Sequence, residues 1–171
     1  GCVGAWVVRN LVKSGVAVTI YDLGTNFQRL QQIMTEEEVA TVQVAQGGDI
    51  THLDMLKRVF DGHRVSHVIH LAALQVPFCR ANPSLGAQVN VTGTVNVFEA
   101  ARYAGLKRLV YASSIAVYGP RNYYSSGLLP HDAPLSPRNL YGVYKQANEN
   151  TARIYHADWG ISSIGLRPYI V

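Results

Sequence analysis

The chain has 171 residues, 48% hydrophobic and only 15% charged, with a formal net charge of +4. This is the composition of a globular domain long enough for one full core, which excludes a disordered polyelectrolyte. The basic residues are scattered, with no stripe interleaved with aromatics, so the mild positive balance reads as a solvated surface and disfavours nucleic acid as a partner.

Apolar spacing over Ala5–Ser14 predicts a helix stopped at Gly15. Val16–Tyr21 reads as a β-branched strand ending at Asp22. A helix around Asn26–Met34, an acidic turn at Glu36–Glu38 and a strand at Thr41–Ala45 follow, and Thr51 is placed to cap a helix through Phe60. Val65–Leu71 is apolar enough for a strand buried on both faces. Pro83-Ser84 opens a long helix through Ala104, closed at Gly105, and Arg108–Ser114 is the next strand. A Pro- and Gly-rich loop from Gly119 to Pro137 leads into a helix from Tyr141 to about Asp158, ended by Gly160, and a last strand at Ser162–Leu166. Strands alternating with helices of this length predict an α/β fold, a doubly wound parallel sheet covered on both faces. Ligands of such sheets bind at the carboxyl ends of the strands, where Asp22, Asp49, Leu71, Ala72, Ala73, Ser113, Ser114, Arg167 and Pro168 all fall.

No apolar run reaches the roughly 20 residues that span a bilayer. The first residues also lack the basic lead of a secretory signal, so a cytoplasmic protein with no membrane contact is expected. Cys2 and Cys79 match no metal or redox spacing and read as buried small hydrophobes. His67 and His70 have no third ligand nearby and read as structural, so no metal site is expected.

The pair Tyr141 and Lys145, four apart in sequence, shares one helix face. A Tyr hydroxyl is a poor base near pH 7, but a nearby cation favours the phenolate and makes it a usable general acid/base. On spacing alone the pair also fits an ordinary surface contact. Gly1 and Gly4 open the first helix, where backbone N–H groups can approach a pyrophosphate. Asp22 follows at the offset expected of a carboxylate that binds adenosine ribose hydroxyls and repels a 2′-phosphate, which favours NAD over NADP. Ser113 and Ser114 read either as a polar strand end or as hydroxyls for a substrate oxygen, and no Gly-x-Ser-x-Gly elbow makes either an acyl-transfer nucleophile.

Seven motifs in this order resemble the extended short-chain dehydrogenase/reductase family, in its NAD-dependent sugar epimerase/dehydratase group. They are Gly1-x-x-Gly4, Gly48-Asp49-Ile50, His70-Leu71-Ala72-Ala73, Asn90-Val91-x-Gly93-Thr94, Ser113-Ser114 through Tyr118-Gly119, Tyr141-x-x-x-Lys145 and Leu166-Arg167-Pro168. The resemblance implies a Rossmann-type NAD-binding domain over residues 1–171. It implies cofactor contacts from Gly1, Gly4, Asp22, Asp49, Ile50, Leu71, Ala72, Ala73, Ser113 and Pro168, with Asn90 supporting. It implies Ser114 as the catalytic hydroxyl and Tyr141 as acid/base. Lys145 would bind the nicotinamide ribose and depress the Tyr141 pKa, and a nucleotide-sugar or sugar-like alcohol would be the substrate. Relatives pair as homodimers through the helices matching Ser84–Ala104 and Leu140–Asp158. Ile115-Ala116 stands where the 4,6-dehydratases carry an Asp-Glu acid/base pair, which argues against that reaction. The family's first strand, its first glycine and its C-terminal substrate domain have no counterpart here, so a gap is expected between the neighbours of that strand. Alternatives are a simple NAD-dependent dehydrogenase of a sugar or hydroxy acid and a non-catalytic dinucleotide-binding module.

Overall fold

The computed structural model describes residues 1–45 and 47–169. Helix α1 (Cys2–Lys13) turns Ala5 and Val8 inward. They pack with Leu30 of the one-turn helix α2 (Gln28–Gln31) and with Met34, and Val18 and Ile20 lie against the same cluster. Strand β1 (Thr19–Tyr21) pairs in parallel with β2 (Gln43–Ala45), so both strands are shorter than expected. The acidic triplet forms a helix, α3 (Glu36–Ala40), because Thr35 and Glu38 make a reciprocal capping box that satisfies two otherwise orphaned N–H groups.

The second half holds the larger core. Its elements are α4 (Leu53–Gly62), β3 (Ile69–His70), α5 (Val76–Ala81), α6 (Pro83–Ala87), α7 (Gly93–Tyr103), β4 (Arg108–Ala112), α8 (Leu140–Trp159) and β5 (Ser162–Leu166). The parallel strands run in the order β3-β4-β5, with Ile69 beside Val110 and Val110 beside Ile164. Leu56 and Phe60 of α4, Val97 and Phe98 of α7, Leu109 and Tyr111 of β4, and Ala152 and Tyr155 of α8 form one cluster. The ring of Phe98, with no exposed surface, meets Tyr155 at 5.0 Å and Tyr111 edge-on at 6.1 Å.

The structure corrects several expectations. The parallel α/β architecture is present, and among the described residues its strands form two separate sheets, β1-β2 and β3-β4-β5. Among the described residues, the main core packs on one face of the larger sheet. Leu109 and Tyr111 are buried, whereas Ile69, Ile164 and Leu166, on alternate positions, are 41%, 60% and 58% exposed. The β3 strand is therefore not buried on both faces, and among the described residues it pairs with β4 alone. Helix α4 is capped from His52, not Thr51, whose N–H donates to the Asp49 carboxylate at 2.8 Å. The long helix expected from Pro83 is split by a π-helical turn at Gln88–Thr92, and α5 precedes it. Cys2 is exposed, and only Cys79 is buried.

Candidate active site

Helix α8 starts at Asn139, whose side-chain oxygen accepts from the Gly142 N–H at 2.9 Å. Its buried face presents Tyr141, Tyr144, Lys145 and Asn148, the i, i+3, i+4 and i+7 positions of one stripe. The first turn approaches the chain leaving β4 so closely that a Cβ on Gly142 would fall on the Ala116 carbonyl oxygen. That close approach brings Tyr141 beside Ser114. Ser114 is extended (φ −164°, ψ 153°) and caps a 3₁₀ turn at Ile115–Val117, its hydroxyl accepting from the Ala116 N–H at 3.1 Å. The expected catalytic trio thus converges on one spot.

Its electrostatics differ from the sequence expectation. Lys145 is 2% exposed, and its ammonium donates to the Ala112 carbonyl at 2.6 Å while lying 5.6 Å from the Tyr141 ring centre. Burial lowers its pKa to about 8, opposed by the Cys79 thiol. Tyr141 lies above its ordinary value: burial raises it, and the hydrogen-bonding Ser114 hydroxyl pulls the other way. The protein alone does not depress the Tyr141 pKa: desolvation outweighs the Ser114 hydroxyl, and the Cys79 thiol adds to the rise. Behind the pair, Nε2 of buried His70 lies 3.0 Å from the Thr94 hydroxyl, which donates to the Asn90 carbonyl at 2.8 Å. A hydroxyl has one proton, so Thr94 accepts from His70, which places the imidazole proton on Nε2. Burial, and then the charge of Lys145, push the His70 pKa down to about 3.

The residues expected around a cofactor fall at the strand ends. Gly4, in the first turn of α1, faces Leu71 just beyond β3, 3.9 Å from where its Cβ would be. Gly1 is the N-cap of this helix and makes no side-chain cap hydrogen bond. Asp22 is exposed, and one carboxylate oxygen accepts from the Gly24 N–H at 2.8 Å. Gly48 packs directly on the Asp22 backbone, where a Cβ would collide, so Asp22 and Asp49 sit at adjacent strand ends. The amide of Asn96 donates to the carbonyls of Ile50 and Thr51 at 3.0 Å each and fixes that turn. Ala72 is exposed and Ala73 half-buried on the loop beyond β3.

Two of the expected residues spend their side chains on other parts of the protein. Asn90 is 1% exposed, and both ends of its amide are used on Leu74, accepting from its N–H at 2.7 Å and donating to its carbonyl at 2.8 Å. It shapes the 71–74 loop from the π-helical turn; a π turn at a functional site is a recurrent pattern. Ser113 does not turn its hydroxyl toward the site: it donates to Glu149 at 2.5 Å. Pro168 is exposed and accepts at its carbonyl from the Ile115 N–H at 3.2 Å.

Sequence reasoning missed Glu149, although it lies one turn beyond Lys145, and it left Arg167 without a role. Arg167 Nε and Nη2 each meet a Glu149 oxygen at 2.7 Å, a two-pronged pair. Arg167 also donates to the Tyr118 hydroxyl and, at 3.2 Å, to the His131 carbonyl.

A family model described as the NAD dependent epimerase/dehydratase family matches residues 1–171. This chain belongs to that family. It is 32% identical over 179 residues to a UDP-glucuronate 4-epimerase of Thermodesulfobacterium geofontis, covering 100% of this chain and 53% of the relative. Among solved structures it is similar to the Thermus thermophilus UDP-glucose 4-epimerase in complex with NAD. The TM-score is 0.82 and the identity 26%, over 98% of this chain and 51% of the other. It is also similar to a partial-consensus L-threonine 3-dehydrogenase, with a TM-score of 0.83 and 26% identity over 98% and 50% of the two chains. The family chain thus spans about half the length of these relatives, and the Rossmann-type fold inferred from its motifs is the fold they share.

Proposed function

We propose that this chain is the cofactor-binding half of an NAD-dependent epimerase acting on a nucleotide-sugar. The observation that carries the reading is the convergence of Ser114, Tyr141 and Lys145 at the carboxyl end of β4. The residues present fit NAD. Gly4 in the first turn of α1 suits the close approach of a pyrophosphate, the exposed Asp22 carboxylate suits ribose hydroxyls, and Lys145 uses one of its three protons on Ala112, leaving two for a ribose. Asp49, Ile50, Leu71, Ala72, Ala73 and Pro168 would line the groove. NAD supplies the hydride acceptor and donor when bound.

The side chains then hold and move the proton. Tyr141 takes it from the substrate hydroxyl as the carbon is oxidised and returns it on reduction. Ser114 donates to the same oxygen and orients it. Lys145, with a pKa of about 8, keeps a positive charge at neutral pH beside the phenol. In the free protein Tyr141 is poised as an acid; the positive nicotinamide ring is the further charge that would favour the phenolate. An epimerase would keep its cofactor unchanged over a turnover, so no reduced cofactor would accumulate.

The likeness to L-threonine 3-dehydrogenase supports a second reading, a simple NAD-dependent dehydrogenase. A non-catalytic dinucleotide module ranks below both, because Ser114, Tyr141 and Lys145 are all retained. A homodimer through α8 is part of the proposal: Val143 and Ile154, eleven apart and so on one face, are 44% and 43% exposed. Calorimetry with NAD, followed by turnover of UDP-glucose and UDP-glucuronate by wild type and Tyr141→Phe, tests the reading. Stoichiometric release of NADH with turnover would favour the dehydrogenase, and full activity of Tyr141→Phe would refute the assigned chemistry.

A further inference from the structure

Beyond the catalytic trio lies a connected set of polar groups that the proposed chemistry does not use. Ser113, the residue before Ser114, is 1% exposed and donates to Glu149 at 2.5 Å. Glu149 is gripped by Arg167 through two bonds of 2.7 Å. Arg167 in turn holds Tyr118 and the His131 carbonyl, and stacks 4.9 Å over the Tyr118 ring. On the other side of Ser114, the Ile115 N–H donates to the carbonyl of Pro168, the residue after Arg167. The two neighbours of Ser114 are therefore both tied to residues 167 and 168 beyond β5. Glu149 is one turn from Lys145 and two from Tyr141 on the same rigid helix.

We propose that Glu149 and Arg167 are positioning residues: their ion pair, acting through Ser113, sets where the end of β4 holds the Ser114 hydroxyl against Tyr141. The proposal rests on the catalytic reading of Ser114 and Tyr141 given above. A surface pair would contribute little, but this one is mostly buried (side chains 19% and 16% exposed) and two-pronged, so it fixes geometry as well as charge. Burial raises the Glu149 pKa, but the hydrogen bonds of Arg167 and then Ser113 outweigh it and keep the carboxyl below its usual range, so the pair is ionised at neutral pH. The groups facing this region are His131 and Tyr111 toward Glu149, Cys79 and Lys145 toward Tyr141, and His70 toward Lys145.

Ser113→Ala is the mild test, since it cuts the tie to β4 and leaves the ion pair intact; Glu149→Gln removes the charge of the pair, and Arg167→Lys keeps the charge but loses its two-pronged geometry. In the full protein, each variant is expected to lower epimerase kcat by about ten- to hundredfold, the scale of a misplaced reacting group. KM for the UDP-sugar and the NAD dissociation constant should stay within about threefold. A reading independent of turnover is ¹³Cζ-tyrosine NMR, with the Tyr141 signal assigned by its loss in Tyr141→Phe. Ser113→Ala should move that signal in the same direction as Ser114→Ala. An unmoved signal in Ser113→Ala, or equal losses of kcat, NAD affinity and melting temperature, would overturn the proposal. If wild type turns over no UDP-hexose, the proposed function fails while the NMR comparison still decides the positioning role.

Discussion

Acidification should weaken this fold through His70. The imidazole is 7% exposed, bonded to Thr94 and held near the positive Lys145, and its pKa falls from 6.5 to about 3. In the unfolded chain it would titrate near its ordinary value. Between those two values the unfolded state binds a proton that the native state refuses, so stability is lost as pH falls below about 6.5. Each pH unit in that window is worth about 1.4 kcal/mol. At pH 5, about 1.5 units into it, the native state should have lost about 2 kcal/mol from this one residue. The measurement is urea unfolding of wild type and His70→Gln at pH 7.5 and pH 5, Gln retaining a donor for Thr94 but no titratable group. Wild type should lose about 2 kcal/mol more than the variant between the two conditions. Equal losses, or an imidazole that titrates near 6.5 by NMR in the folded protein, would refute the assignment of a neutral, desolvated His70.

Three further outcomes follow from the same geometry. Gly142→Ala should lower both stability and turnover, because its Cβ would land on the Ala116 carbonyl and push α8 off the Ser114 turn; overpacking of this kind costs about 1–3 kcal/mol, read by thermal melting alongside kcat. Phe98→Ala removes a ring with no exposed surface from the contact of α7, β4 and α8 and should cost about 3–5 kcal/mol in urea unfolding. Asn90→Ala deletes both bonds to Leu74, at about 1 kcal/mol each, and should weaken NAD binding by calorimetry more than it slows bound-state chemistry.

Much of the site was legible because its signals are local. Tyr141 and Lys145 are one helical turn apart, and a turn is fixed by backbone geometry whatever packs around it. The parallel alternation was legible for the same reason, since strand and helix periods are properties of short windows. Glu149 was not legible: a Glu one turn beyond Lys145 looks like any solvated helix charge until β4 and β5 bring Ser113 and Arg167 to it. The π turn at Gln88–Thr92 was hidden too, because its residues have ordinary helical patterning, and only the bonds of Asn90 to the 71–74 loop show what it positions.

The pKa of Tyr141 marks the boundary between the two kinds of information. The amino-acid sequence by itself determined the family, the parallel α/β class and which side chains share the α8 face. These follow from residue order, helical period and motif spacing, all short-range. The tertiary structure alone decided that Lys145 spends a hydrogen bond on Ala112, that Tyr141 is desolvated above its ordinary value, and that Ser114 is held between two ties to the end of β5. Desolvation and hydrogen-bond partnership depend on which distant segments close over a group, and no spacing along the chain encodes that closure directly.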